Sequence, residues 1–299
     1  MIDMKILPIV IMLLLANFDF SDMSIEDDAF HDELPFHIET WYFEAISGNE
    51  SMVFMITLIG KMAAMIGIQF YEKGMPLYDG RKIYFSFNAS NKIPYIAING
   101  KEIMKCVENG KLFYKISYSS ENISFNLFFQ NRTIGWKSKK WIAIPNMKAN
   151  GSILFQGKEY KMNGKGYHDH NIFYIWQPFV ERGYMDGKVI LENISLFWAR
   201  LMRNVFIHKD FVIYSNSSYH VLNATIEFKS YKINNGHLIP TSFKIHGDGI
   251  NLTINATAIH FISLPFIKYW RYHVYSKGKI KGKKIESFDI TEYMLFKPF

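Results

Sequence analysis

Eight Asn-Gly or Asp-Gly dipeptides punctuate this 299-residue chain: Asp79-Gly80, Asn99-Gly100, Asn109-Gly110, Asn150-Gly151, Asn163-Gly164, Asp186-Gly187, Asn235-Gly236 and Asp248-Gly249. Such pairs readily supply the positive φ angles of the tight turns that match the twist of a β-hairpin. Between them, apolar and polar residues alternate in short runs: 82–88 (KIYFSFN), 111–118 (KLFYKISY), 123–130 (ISFNLFFQ), 152–156, 211–215 and 219–228. Alternation sends successive side chains to opposite faces, the pattern of a half-buried strand. The 26 Phe and 18 Tyr suit such pleated surfaces, and no window holds a sustained helical period. Turns every ~8–12 residues predict an all-β sandwich or barrel. An up-and-down barrel would close its own edges around an apolar cavity.

The length admits more than one such unit, since domains run to ~100–200 residues. A weak internal echo predicts two. GSILFQGKEYKMNGKGY (151–167) resembles SKGKIKGKKIESFDITEY (276–293), with Gly157-Lys158 and Gly282-Lys283 in register. Trp41 and Trp198 also head similar aromatic strands. A boundary near 171–186 follows. The expected organisation is an N-terminal hydrophobic segment (1–22), a first barrel (23–175) and a second barrel (176–299).

Residues 6–18 (ILPIVIMLLLANF) are too short an apolar run to span a bilayer comfortably, where ~20 are needed, and have the length of a signal-peptide core. Asn-x-Ser/Thr occurs ten times, at Asn49, Asn88, Asn122, Asn131, Asn150, Asn193, Asn216, Asn223, Asn251 and Asn255. The chain's own content of Asn, Ser and Thr predicts roughly two such triplets by chance, so the excess points to glycosylation outside the cytoplasm. The expectation is a secreted protein or one anchored through its N-terminal segment. The single cysteine, Cys106, excludes an internal disulfide framework and a four-thiolate zinc site. A net charge of +7 permits attraction to an anionic membrane surface, but the lysines are scattered, so nucleic acid is not an expected partner.

The densest polar cluster is Gly166-Tyr167-His168-Asp169-His170-Asn171. In extended backbone His168 and His170 share one face, and Tyr167, Asp169 and Asn171 the other. An Asp buried among aromatics has a raised pKa and can deliver a proton. A metal reading of His-x-His lacks an identifiable third ligand among His31, His37 and Glu39, so no metal is assigned. A hydrogen-bonded plug where two barrels meet is the structural alternative. In a second cluster His37, Glu39 and Trp41 alternate onto one face. In a third, Trp198 and Arg200 share a face, with Arg200 able to pair with Glu39 or Asp169. No G-x-S-x-G, Walker, H-E-x-x-H or G-x-G-x-x-G motif occurs, which removes serine hydrolases, nucleotide-dependent enzymes and zincins.

Glu39-Thr40-Trp41-Tyr42 resembles the E-W-W-Y strand of the lipocalin-like AttH and carotenoid 1,2-hydratase family. The stretch from Trp141 and Pro145 through Gly151, Gly157, Gly164 and Gly166 to Asn171 is similar to that family's G-x-G-Y-x-D-H-N segment, with Ile172-Phe173 where the family has W-G. Trp198-Ala199-Arg200 resembles its W-G-R strand, and Tyr269-Trp270-Arg271-Tyr272 with Gly278, Gly282 and Glu292-Tyr293 its closing strands. The resemblance implies two lipocalin-like barrels around apolar cavities, and an activity that adds water to, or cyclises, an isoprenoid double bond. It implies Asp169 as proton donor and His168 or His170 as its tuner or water-positioning base. Tyr167, Trp41 and Trp198 would stabilise a cation through their π faces. Glu39, Tyr42, Asn171 and Arg200 complete the expected ligand-binding set, and no cofactor is required. The partner the resemblance implies is an isoprenoid or lipid. The alternative is a non-catalytic extracytoplasmic carrier or sensor of apolar molecules.

Overall fold

The structure, a computed structural model, describes residues 19–32, 36–138, 141–179, 181–203, 207–264 and 267–296. The apolar run at 6–18 lies outside them.

The described chain is almost entirely strand. The first thirteen strands are β1 (Ser21–Asp22), β2 (His37–Ser47), β3 (Glu50–Ile59), β4 (Ala63–Glu72), β5 (Met75–Tyr84), β6 (Phe87–Ala89), β7 (Tyr95–Ile98), β8 (Lys101–Glu108), β9 (Leu112–Ser119), β10 (Ile123–Asn131), β11 (Trp136–Ser138), β12 (Trp141–Phe155) and β13 (Lys158–Tyr174). The remaining nine are β14 (Gly183–Ile190), β15 (Ser195–Met202), β16 (His208–Ser215), β17 (Tyr219–Leu222), β18 (Thr225–Asn234), β19 (His237–Gly247), β20 (Ile250–Leu264), β21 (Ile267–Ile280) and β22 (Lys283–Phe296). Alternation decides the outer strands: β9 runs buried and exposed in turn from Leu112 to Ser119, as its sequence predicts.

Two antiparallel sheets divide the chain between Tyr174 and Gly183. The first has the order β5-β4-β3-β2-β13-β12-β10-β9-β8-β7-β6, with the short β11 and β1 added beside β12. It curls into a nearly closed barrel, and Tyr84 Oη meets Tyr118 Oη at 2.9 Å across the gap. The second, β17-β16-β15-β14-β22-β21-β20-β19-β18, is a half-barrel. The orders correspond strand by strand, β2 to β5 with β14 to β17, β13 with β22 and β12 with β21. The fold is therefore two consecutive lipocalin-like barrels.

Gln156-Gly157 and Lys281-Gly282 turn the corresponding β12–β13 and β21–β22 hairpins, with φ of 50° and 77°, and 47° and 79°. Four of the eight predicted turn dipeptides lie at turns: Asn99-Gly100, Asn109-Gly110, Asn235-Gly236 and Asp248-Gly249. The other four, Asp79-Gly80, Asn150-Gly151, Asn163-Gly164 and Asp186-Gly187, sit inside long strands, where glycine serves close packing. At Gly187 a Cβ would lie 2.6 Å from Trp198 Cζ2, so only glycine lets that indole pack behind the strand. Two predicted runs are also broken: 82–88 by a bend after Tyr84, and 219–228 between β17 and β18.

Three apolar clusters hold the fold. One fills the first barrel with residues such as Trp41, Phe43, Phe54, Tyr114 and Phe129. A second fills the other sheet's concave side around Trp198, Phe243, Trp270 and Tyr272. A third joins the two, with Tyr42, Val53, Trp136 and Tyr167 of the first sheet against Ile190, Phe197, Phe211 and Ile290 of the second. Central strands are consequently buried on both faces, which is why β3 reads as a near-continuous apolar run, whereas β14 is equally buried although it carries Asp186 and Lys188. The expected greasy hollows inside the barrels are occupied by these aromatic side chains.

Candidate functional site between the two sheets

An apolar, partly open cavity lies between the sheets. The cavity, of about 590 Å³, is lined by β2 to β5 and β13, the 175–179 connection, and β14, β20, β21 and β22. Its walls are Ile38, Met55, Ile59, Met65, Phe173 and Ile262 with their neighbours. Its polar groups include Tyr42, Asp169, Asn171, Tyr184, Asp186, Tyr269 and Glu292, with Thr40, Thr57, Gln177 and Arg81, the last paired with Asp79.

Strand alternation places these groups. On β13, His168 and His170 turn into the first barrel, whereas Tyr167, Asp169 and Asn171 turn toward the second sheet. On β2, Tyr42 lies directly across from Asp169, and Glu44 across from Tyr167. On the other side, Asp186 of β14 lies across from Glu292 of β22, which in turn lies across from Arg271 of β21. Two cross-strand pairs from corresponding strands, Tyr42 with Asp169 and Asp186 with Glu292, thus belong to one site.

The electrostatics follow from counting charges. Four carboxyl side chains, Glu44, Asp169, Asp186 and Glu292, are buried here with two cations, Lys188 and Arg271. Lys188 Nζ bonds Glu44 Oε1. Arg271 donates to Glu292 Oε1 from Nε at 3.1 Å and Nη2 at 2.7 Å, to Tyr269 Oη at 2.6 Å, and to Gln69 across the sheet interface. Burial opposes ionisation of Glu292, but Arg271 and Lys188 hold its pKa below the ordinary value. The two aspartates have no cation of their own. Burial pushes Asp169 up to about 7, against the hydrogen bond from Tyr167. Burial, with Glu292 alongside, raises Asp186 well above a usual carboxyl.

Their hydrogen bonds differ. Asp169 accepts from Tyr167 Oη at 2.7 Å on Oδ2 and from Asn171 Nδ2 at 2.8 Å on Oδ1. Asp186, only 5 % exposed, accepts no side-chain hydrogen bond from a described residue.

Tyr42, Asp169 and Asn171 of the expected site line the cavity, with Tyr167 directly behind Asp169. The others lie elsewhere. His168 stacks on Phe43 (centroids 4.1 Å apart), its Nε2 3.0 Å from Asp28 Oδ2. His170 stacks on Trp41 (4.0 Å), its Nε2 2.8 Å from Glu39 Oε2. Neither ring bonds Asp169, because adjacent residues on a strand face opposite ways. Trp198 is buried in the second core, and Arg200 forms a two-pronged pair with Asp210 at 2.6 and 2.7 Å rather than meeting Glu39 or Asp169. Cys106 is buried, and burial pushes its thiol up to about 12, as suits a small apolar group.

The histidine cluster closes the first barrel. His31, Glu39 and His170 bring one ligand atom each within 4.8 Å of one another, close enough to hold a cation. Both oxygens of Glu39 already meet imidazoles, His37 at 2.8 Å on one and His170 at 2.8 Å and His31 at 3.2 Å on the other. Asp28 accepts from Tyr114 at 2.6 Å, and its backbone carbonyl accepts from Trp41. The set works as an ion network pinning residues 24–32 across the barrel. Asp28 and Glu39 raise His170 to about 9 against its burial, and Glu39 falls to about 2 despite its own.

Sequence reasoning missed Asp186, Lys188, Tyr184 and Glu44. Asp186-Gly187 carries the signature of a turn, and Lys188 that of surface charge. Only the two-sided burial of β14 marks Tyr184, Asp186 and Lys188, and that of β2 marks Glu44.

No protein-family model matches the chain, and no curated protein does. Solved structures do. A provisional AttH of Nitrosomonas europaea superposes with a TM-score of 0.66 at 11% identity, covering 91% of this chain and 97% of that one. The fold is that of AttH. Kievitone hydratase of Nectria haematococca shares it, with a TM-score of 0.59 at 11% identity over 87% and 88% of the two chains. CghA, solved with Sch210972, superposes at 0.58 with 10% identity over 88% and 89%. The AttH fold thus accommodates sequences that share about one residue in ten.

Proposed function

We propose that the protein binds an isoprenoid or similarly apolar molecule in the cavity between its sheets and, by acid catalysis, adds water to or cyclises one of its double bonds. The observation that carries this reading is the pairing of an apolar cavity with two carboxyls that lack counter-cations. Protonating an alkene needs an acid kept neutral at neutral pH and walls that do not quench the cation. Buried Asp186, raised well above a usual carboxyl, supplies the first, and Tyr42, Tyr184, Tyr269 and Phe173 around the cavity supply the second. One protein of similar fold is named a hydratase, which agrees with this chemistry. Native mass spectrometry of the purified protein should reveal a bound apolar molecule. Incubation with trisubstituted terpenoid alkenes should give a product eighteen mass units heavier, or an isomer of equal mass. Asp169→Asn should lower that turnover at least a hundredfold. Undiminished turnover in the variant would remove Asp169 from the reaction, and an empty cavity with no turnover would remove the reading.

The setting proposed is outside the cytoplasm. None of the ten sequon asparagines is buried, and Asn251 and Asn255 point outward from the same face of β20. Enzymatic deglycosylation of the protein from its native source should shift its mass; an unchanged mass would count against that placement.

A further inference from the structure

Resting on that reading, we infer that Asp186 is the proton donor and Asp169 the base that takes a proton from water, the two sheets contributing one carboxyl each. Three observations carry the division of roles.

First, Asp186 and Glu292 are directly opposed across β14 and β22, a spacing of ~5 Å between Cβ atoms at which two buried carboxylates cannot both be charged cheaply. Arg271 grips Glu292 through two nitrogens, so Glu292 keeps the charge and the proton goes to Asp186. The other charged groups around Asp186 are Lys188 on its own strand, Asp169 of β13 and Glu44 of β2, with Arg81 of β5 in the same cavity lining; Lys188 is bonded to Glu44 and Arg81 is paired with Asp79. Second, Asp186 accepts no side-chain hydrogen bond from a described residue and lines the cavity, so its O–H is free to point at a guest. Third, both oxygens of Asp169 already accept hydrogen bonds, from Tyr167 and Asn171. Two donors suit a carboxylate, and its remaining lone pairs can accept a water proton.

The reaction balances. The Asp186 O–H bond breaks as the proton forms a C–H bond at the less substituted alkene carbon, and the π electrons leave a tertiary cation. Water oxygen bonds to that cation, and its proton passes to the Asp169 carboxylate. The product is a tertiary alcohol. Asp169 is left neutral and Asp186 charged, and return of one proton from Asp169 to Asp186 through water restores the start. Substrates with a trisubstituted double bond near one end of an apolar chain fit this arrangement.

Infrared difference spectroscopy of the whole protein tests the assignment without turnover. Wild type should show the carbonyl stretch of a protonated carboxyl in two parts, one lost on raising the pH through about 7 and one persisting above it. Asp186→Asn should remove the persistent part, and Asp169→Asn the part that titrates. Should Asp186→Asn fail to fold, Glu292→Gln removes the opposing charge and should move the persistent part to lower pH. A persistent band that survives Asp186→Asn, or stays in place in Glu292→Gln, overturns the inference. Farnesol in oxygen-18 water tests the underlying reading separately. Labelled alcohol from wild type, reduced at least a hundredfold in Asp186→Asn, supports both. Labelled alcohol undiminished in Asp186→Asn sinks the donor role alone. Absence of label with the expected infrared bands counts against farnesol hydration and leaves the proton assignment standing.

Discussion

Replacing Asp169 by Asn should make the protein relatively more stable as pH rises, the reverse of removing an ordinary paired carboxylate. The carboxyl titrates near 7 in the folded protein against 3.8 for an ordinary Asp. The folded state therefore holds the proton more tightly than the unfolded chain. Stability falls as pH climbs from about 4 through 7, by up to ~1.4 kcal/mol per pH unit, and levels off above. At pH 8 the ionised carboxyl costs the fold about 4 kcal/mol, and at pH 5 about 2. Asn171 and Tyr167 lose a carboxyl acceptor in the variant, an offset of about 1–3 kcal/mol. What the carboxyl uniquely contributes is the change with pH. Urea denaturation of wild type and Asp169→Asn at pH 5, 6, 7 and 8 isolates it, because Asp186 and Glu292 are present in both proteins. The free-energy gap should move by about 2–3 kcal/mol in the variant's favour between pH 5 and 8. A gap that stays constant, or moves toward wild type, would mean that Asp169 is an ordinary ionised carboxylate, and the account of a carboxyl raised by burial at the sheet junction would fail.

Arg271→Ala should destabilise by about 3–5 kcal/mol in urea or thermal unfolding, since it leaves Glu292 charged and unpaired at the sheet interface; adding Glu292→Gln should recover part of the loss. For His170 the sign is that of a partnered base. Its folded pKa near 9 lies above 6.5, so its contribution is complete below pH 6.5 and disappears as pH rises through 9. His170→Gln should therefore be worse than wild type by about 3 kcal/mol more at pH 6 than at pH 10, read as the shift in denaturation midpoint. Glu39, lowered to about 2, contributes above pH 4.5 and stops contributing as pH falls through 2, so the same network fails in strong acid. Met65→Trp should fill the cavity, weakening retention of an apolar ligand at least tenfold in native mass spectrometry while costing about 1–3 kcal/mol of stability.

Alternation was enough to read the faces of β13. His168 and His170 could be separated from Tyr167, Asp169 and Asn171 because a strand obeys a period of two whatever surrounds it. The echo around Gly157 and Gly282 was legible for a similar reason, since positive φ at a turn restricts the residue allowed there. What lay beyond reading was which face meets which. The same alternation that separated the histidines from Asp169 gave no sign that the aspartate face would meet another sheet rather than a barrel interior. Trp41 and Trp198 were assigned to a ligand because aromatic rings on an inward face suit a cavity and a packed core equally. Only volume distinguishes the two, and volume is a property of all the strands together. Asp186 was hidden by its neighbour, since an Asp-Gly pair in a hairpin and one whose glycine makes room for Trp198 look the same in one dimension.

The duplicated architecture explains why the unusual charge balance arises at the junction. Of the six buried carboxyl and cationic side chains named at the cavity, the first sheet contributes Glu44 and Asp169, both anionic when charged, and the second contributes Asp186, Glu292 and both cations. Lys188 leaves its own sheet to bond Glu44, and Arg271 reaches Gln69 as well as Glu292. Docking the sheets therefore spends each cation on one carboxylate and buries two further carboxyls in the same step. Undocked, Asp169 would face water and titrate as an ordinary acid. The contact that joins the sheets is thus also what raises two carboxyls beside an apolar cavity above the ordinary range, so the stability of the junction and the proposed chemistry depend on the same two cations. Lys188→Met separates this from a purely structural account. A merely structural Lys188 would cost stability and leave the aspartates unchanged. A shared cation implies that Glu44 takes up a proton and that the part of the infrared carboxyl band belonging to Asp169 moves to higher pH.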